Sequence, residues 1–297
     1  MIILSIMVAF SATSMAATKL IYDRIYTRVA PEVTPVPEEL QPMVRERQPL
    51  SYPSGAHQLA GYLYCAQGGQ DALVILVPGY HAGADSYLWQ IKGLLDRGWS
   101  VLAFDPTGWG ASQGDSLVGF SQVLVDLEQT LKYVEKSGYF GYTNIILLGH
   151  SQGGYAACCA LEYDKRICAA VSVSGVNSPM EGVVGAAAAY TGPLAYGNYG
   201  FLWAYQALLF APERVNLRAD RQIARASVPV LVIHGEQDTQ VPAERYSILS
   251  HREQIPQGRA EYLVCDQGHT DLLFDETGRE NRELMDSIHR FLLNSLD

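Results

Sequence analysis

Three residues of this chain, Ser151, Asp238 and His269, are of the types that together turn a hydroxyl into a nucleophile. A serine hydroxyl attacks poorly at neutral pH, so it needs a base beside it, and the base needs an acid to orient it. Ser151 stands in Gly149-His150-Ser151-Gln152-Gly153, a G-x-S-x-G pentapeptide. Before it runs Asn144-Ile145-Ile146-Leu147-Leu148, apolar and branched like a buried parallel strand. After it comes Gly154-Tyr155-Ala156-Ala157-Cys158-Cys159-Ala160-Leu161, small and apolar, as in a helix packed on a sheet. At a strand-to-helix junction this motif is a nucleophile elbow. The turn is so tight that the serine takes a strained backbone conformation and glycines must flank it. The helix that follows aims its N-terminus at the serine oxygen.

In such an elbow the partners follow in the chain order serine, acid, histidine. The apolar run over 229–233 leads into His234-Gly235-Glu236-Gln237-Asp238, which puts Asp238 in the loop past a strand end, with Glu236 as the rival acid. Glu261-Tyr262-Leu263-Val264-Cys265 leads into Asp266-Gln267-Gly268-His269, which puts His269 past the next strand. All three residues therefore fall on one edge of a sheet. Of the other histidines, His57, His251 and His289 lie far from strand C-terminal ends. His81, His150 and His234 lie nearer but flank the wrong elements for a general base, and His150 and His234 read as packing around the site. An oxyanion needs two backbone N–H donors. Gln152, after the nucleophile, supplies one, and by position Tyr80, in the turn Pro78-Gly79-Tyr80-His81-Ala82-Gly83, supplies the other. The Tyr80 side chain also reads as a pocket wall.

The elements that must position these residues alternate. Strands are predicted over 58–65, 72–77, 100–104, 144–148, 169–173, 229–233 and 260–264, with β-like patterning from about residue 49. Helices are predicted over 86–97, 121–137 (stopping before Gly138) and 282–293. Alternation of this kind means an α/β fold, a mostly parallel sheet flanked by helices, with its site at the C-terminal edge of the strands. Residues from about 175 to 227 break the pattern and read as a small cap inserted after the sixth strand. Their aromatic residues Tyr196, Tyr199, Phe201, Trp203 and Tyr205 either line an apolar substrate pocket or form the cap's own small core.

Composition narrows the rest. A chain of 297 residues, 48% hydrophobic and 18% charged, is long enough for one large domain, and a net charge of -10 without a basic patch argues against nucleic acid as partner. The five cysteines, Cys65, Cys158, Cys159, Cys168 and Cys265, form no metal-binding spacing and no disulfide framework. The glycine-rich turn 105–112 lacks a dinucleotide fingerprint, and no P-loop occurs, so no cofactor or metal is called for. Residues 1–28 read as a hydrophobic targeting or anchor segment: positions 1–18 carry no charge, and Lys19, Arg24 and Arg28 follow. An uncleaved membrane anchor, a signal peptide cut near Ser14-Met15-Ala16, and a plain N-terminal helix on a cytoplasmic protein all fit. Residues 29–48, with four prolines, read as an extended linker to a domain over 49–297.

With these motifs in order, the region from about residue 50 to 297 resembles the α/β-hydrolase superfamily. The resemblance rests on Val77-Pro78-Gly79-Tyr80, Asp105-Pro106-Thr107-Gly108-Trp109-Gly110, Gly149-His150-Ser151-Gln152-Gly153-Gly154, Gly235-Glu236-Gln237-Asp238-Thr239-Gln240-Val241-Pro242 and Gly268-His269. Within the superfamily the chain is similar to monoacylglycerol lipases and serine aminopeptidases of the S33 type, and its elbow to bacterial cinnamoyl and feruloyl esterases. Pro78 departs from the pattern, since many members have histidine there. The resemblance implies hydrolysis of a small-molecule carboxylic ester with an apolar or aromatic acyl group. Ser151 would be the nucleophile, His269 the base and Asp238 its orienting acid, with Tyr80 and Gln152 holding the oxyanion. The same scaffold also serves acyltransferases, aminopeptidases, for which Glu181 or Glu213 could grip the substrate ammonium, and non-catalytic small-ligand binders.

Overall fold

Apolar runs too short for helices become a buried sheet. The computed structural model describes residues 2–30, 35–137 and 140–296. Met1, residues 31–34 of the predicted linker, and Gly138 at the end of the predicted helix lie outside them. Among the described residues one eight-stranded sheet forms, from β1 (Gln48–Ser54), β2 (His57–Tyr64), β3 (Ala72–Val77), β4 (Ser100–Phe104), β5 (Asn144–His150), β6 (Ile167–Val173), β7 (Val230–Gly235) and β8 (Ala260–Cys265). The spatial order is β1-β2-β4-β3-β5-β6-β7-β8. β2 runs antiparallel to both β1 and β4, and every other neighbouring pair is parallel. All six residues of β3 and all five of β4 are buried, because helices cover both faces of a parallel sheet.

Alternation within each strand divides the interior into two cores. Leu73, Ile75 and Val77 face one core, with α4 (Gln122–Lys136) and α5 (Gln152–Cys159) packed over it. Ala72, Val74 and Leu76 face the other, covered by α3 (Leu88–Leu95) and α11 (Arg282–Asn294). After β6 the chain leaves the sheet for the cap: α6 (Pro179–Thr191), α7 (Leu194–Gly197), α8 (Tyr199–Phe210), α9 (Pro212–Val215) and α10 (Ala219–Arg225).

The N-terminal region departs from expectation. Its helix, α1 (Ile2–Ile25), does not stand apart from the domain. Thr18, Tyr22 and Tyr26, spaced by four, are all buried, a helical stripe turned inward. Phe120 N donates to Tyr22 Oη at 3.4 Å, and Tyr205 Oη to Asp23 Oδ1 at 2.7 Å. Leu117 N donates to the Tyr26 carbonyl at 2.8 Å. The Arg28 guanidinium donates to the carbonyls of Gly110, Ser112 and Gly114 at 2.8–3.0 Å. The boundary predicted after residue 28 thus cuts through packed structure. Beyond Pro37 the predicted extended linker is a 3-10 turn (Glu38–Leu40) and α2 (Gln41–Glu46), docked through buried Leu40 and through Arg47, which lies 3.9 Å over the Tyr62 ring. No helix among the described residues is long and apolar enough to cross a membrane.

Candidate active site

The elbow is steric before it is chemical. Ser151 sits at φ 56°, ψ −119°, a left-handed region that side chains rarely enter. A Cβ at Gly149 would lie 2.1 Å from the Gly153 carbonyl oxygen, and one at Gly153 would lie 2.1 Å from that of Val77. Only glycine fits either place. Ser151 N donates to the Val173 carbonyl at 2.8 Å, which ties the turn to β6. α5 starts at Gln152, so its first free N–H groups open toward the nucleophile.

The acid and the histidine meet past the ends of β7 and β8. His269 Nδ1 donates to Asp238 Oδ2 at 2.7 Å, and both residues are buried. Asp238 Oδ1 accepts from the N–H groups of Gln240 and Val241 at 2.9 and 2.8 Å. Burial by itself would raise the Asp238 carboxyl, but hydrogen bonds from His234 and His269, the charge of His269 and the Val241 N–H outweigh it and hold the group well below the ordinary carboxylate range. The rival acid, Glu236, is exposed and makes no such bond. Ser151 and His269 line one cavity of about 260 Å³ with Gly79, Tyr80, His81, Tyr87 and Thr270. No hydrogen bond joins Ser151 Oγ to the His269 imidazole, whose Nδ1 is held by Asp238.

A second layer, of which the sequence reading named His150 and His234 but not Tyr87 or Ser174, fixes this geometry. His150 Nε2 donates to the His269 carbonyl at 3.0 Å, and Ser174 Oγ donates to the same oxygen at 3.1 Å. His150 Nδ1 then accepts from Tyr87 Oη at 3.1 Å, while Tyr87 Oη accepts from Gly79 N at 3.0 Å. This relay runs from the turn at Gly79, through a phenol and an imidazole, to the backbone of His269. Burial, then the nearby charge of His269, lowers the His150 pKa to about 4. His150 is therefore neutral, and its two roles require that. The Gly79 N–H is committed to Tyr87, which leaves the Tyr80 N–H as the predicted oxyanion donor. With Pro78 in place of histidine, Tyr87 is what braces this turn. His234, also read as packing, donates from Nε2 to the Val241 carbonyl at 2.9 Å and sits 3.3 Å from Asp238 Oδ2. No spacing rule could have found Tyr87, which is 63 residues from His150.

The cap aromatics do not reach the cavity at Ser151. Tyr196 and Tyr199 are 42% and 48% exposed. Trp203 Nε1 donates to Asn216 Oδ1 at 3.0 Å, Tyr205 Oη is bound to Asp23, and Phe201 is half-buried away from the cavity. None of these five residues lines the cavity that holds Ser151, and because α8 is apolar all round, density of aromatics in its sequence does not say which face meets what. Glu181 is likewise engaged, accepting from Ser178 Oγ at 2.9 Å and lying 3.3 Å from His251 Nε2.

Against known proteins, residues 68–196 match the model of a family described as serine aminopeptidase, S33. A solved esterase of Pyrococcus furiosus superposes with a TM-score of 0.66 at 25% identity, over 91% of this chain and 98% of that one. The polyketide transferase grgF of a Penicillium species is 30% identical over 119 residues, 39% of this chain and 40% of its own length. The lysophosphatidylserine lipase ABHD12 of Danio rerio is 27% identical over 165 residues, 54% of this chain and 41% of its own. The chain thus spans about two fifths of the length of these curated relatives.

Proposed function

The chain belongs to the α/β-hydrolase superfamily, and on that premise we propose that it is a serine hydrolase cleaving a carboxylic ester. The carrying observation is the buried Asp238–His269 pair at 2.7 Å, whose histidine shares a cavity with a serine held in a strained turn. In this reading His269 Nε2 takes the Ser151 proton as the oxygen attacks the ester carbonyl. The N–H groups of Gln152 and Tyr80 receive the oxyanion. The alcohol leaves with the proton from His269, and a water deprotonated by the same imidazole releases the acid. Asp238 holds the tautomer and favours the imidazolium throughout.

The test is labelling by a fluorophosphonate probe, with Ser151→Ala beside the parent, followed by a p-nitrophenyl ester panel. The expected result is labelling and ester turnover by the parent only. A folded parent that neither labels nor turns over would overturn the reading. A second reading, an aminopeptidase, is favoured by the family match. Aminoacyl p-nitroanilides in the same panel separate the two, and the pairing of Glu181 with Ser178 and His251 weighs against that residue as an ammonium anchor. We propose further that residues 1–18 and the exposed Leu20, Leu194 and Leu208, on α1, α7 and α8, bring the enzyme to a lipid surface.

A further inference from the structure

A second cavity, of about 270 Å³, lies between α1 and the cap. Its wall is apolar: Ala17, Ile21 and Ile25 from α1, Val183 and Ala187 from α6, Leu202 from α8. Three of the polar side chains in that wall are bonded to one another or to backbone. Thr18 Oγ1 donates to the Ser14 carbonyl at 2.8 Å, Asn198 Nδ2 to Thr18 Oγ1 at 2.8 Å, and Thr191 Oγ1 to the Ala187 carbonyl at 2.9 Å. A space with most of its donors engaged and a largely hydrocarbon surface suits an unbranched apolar chain better than water. At roughly 30 Å³ per water-sized group it holds roughly nine methylenes.

One residue joins it to the site. Tyr80 lines the cavity of Ser151, and its hydroxyl donates to the carbonyl of Ile25, which lines the apolar cavity. The Tyr80 ring rests edge-on against Tyr26 with centroids 5.6 Å apart, and stacks on His81 at 3.9 Å. We propose that the cavity between α1 and the cap receives the acyl chain of the ester, with Tyr80 at the passage from the nucleophile. The acyl pocket is then half N-terminal helix, and the substrate class is esters of straight-chain acids of about eight to ten carbons. The proposal rests on the ester-hydrolase reading above.

Its test compares kcat/KM for p-nitrophenyl decanoate and p-nitrophenyl acetate in the full chain, in Ala187→Trp and in Ile21→Trp. Ile21 is half-exposed, so an indole there fills the cavity from a surface helix without entering the main core. The expected result is a decanoate-to-acetate ratio lower by about 100-fold, the worth of three to four buried methylenes. Melting curves and fluorophosphonate labelling identify the variants that are folded with an intact site. A ratio unchanged in a folded, labelled Ile21→Trp protein overturns the proposal. Should the parent cleave no ester, the hydrolase reading fails by itself and calorimetry with sodium decanoate decides the cavity: heat lost in Ile21→Trp supports it, and no binding to the parent overturns it.

Discussion

Asp238 and His150 hold the same residue, His269, one at its imidazole and the other at its backbone carbonyl, with opposite requirements. Asp238 must stay charged; removing that charge without changing shape, in Asp238→Asn, is expected to lower kcat by about 10³–10⁴-fold while binding of substrate persists. His150 must stay neutral. Its pKa falls from the ordinary histidine range to about 4 on folding, so between those values the unfolded chain binds the proton more readily than the folded one. Stability from this residue is therefore complete above pH 6.5 and declines as pH falls toward 4, by an amount on the order of 3 kcal/mol. Urea unfolding at pH 7 and pH 4.5 checks this: the loss on acidification should be smaller in His150→Gln than in the parent, and an equal loss would remove His150 from the account. At this scale the position of Ser151, Asp238 and His269 past the ends of β5, β7 and β8 was legible, because each follows a strand whose apolar run marks where it ends. The bracing of His269 was not. It depends on Tyr87 and Ser174, which nothing in their neighbourhoods distinguishes from ordinary core polar residues.

Elements carry the elbow and the N-terminal helix. Gly153→Ala places a methyl against the Val77 and Pro78 carbonyls, at 2.1 and 2.6 Å, where two backbones already touch. It should destabilise by at least about 3 kcal/mol and abolish fluorophosphonate labelling, as read by chemical denaturation and gel fluorescence. Removing residues 1–28 deletes buried Tyr22 and Tyr26 and the three-carbonyl clamp of Arg28, and should lower the melting temperature by more than about 10 °C. An unchanged melting temperature would mean that α1 is not part of the core. Strands were readable to within two residues because parallel strands are apolar throughout. The docking of α1 was not legible because its inward residues are Thr18, Tyr22 and, just past its end, Tyr26, residues with polar tips. The helical segments over 38–46 were hidden by four prolines, of which Pro31, Pro35 and Pro37 come before them in the sequence and Pro42 stands in the first turn of α2, where proline is tolerated.

For the whole molecule, order along the chain matters as much as order in the sheet. The five parallel pairings and the two cores followed from alternation of strand and helix, and so did the placing of the site at one sheet edge. How the cap meets α1 did not follow, since the partners are separated by as many as 182 residues. If the apolar surface of α1, α7 and α8 meets lipid, the protein should sediment with phosphatidylcholine vesicles, and Leu20→Glu with Leu208→Glu should release it; sedimentation unchanged by the pair would place the contact elsewhere. The same separation sets a schedule for synthesis. α1 leaves the ribosome before Tyr80, Phe120 and Tyr205 exist to receive it, and at 5–20 residues per second it waits roughly ten to forty seconds for α8. During that interval a helix without a charged side chain before Lys19 is exposed with nothing to cover it. The segment made first among the described residues is therefore among the last to be buried, and whatever shelters it in the meantime, chaperone or lipid, decides how much of the chain reaches an assembled site.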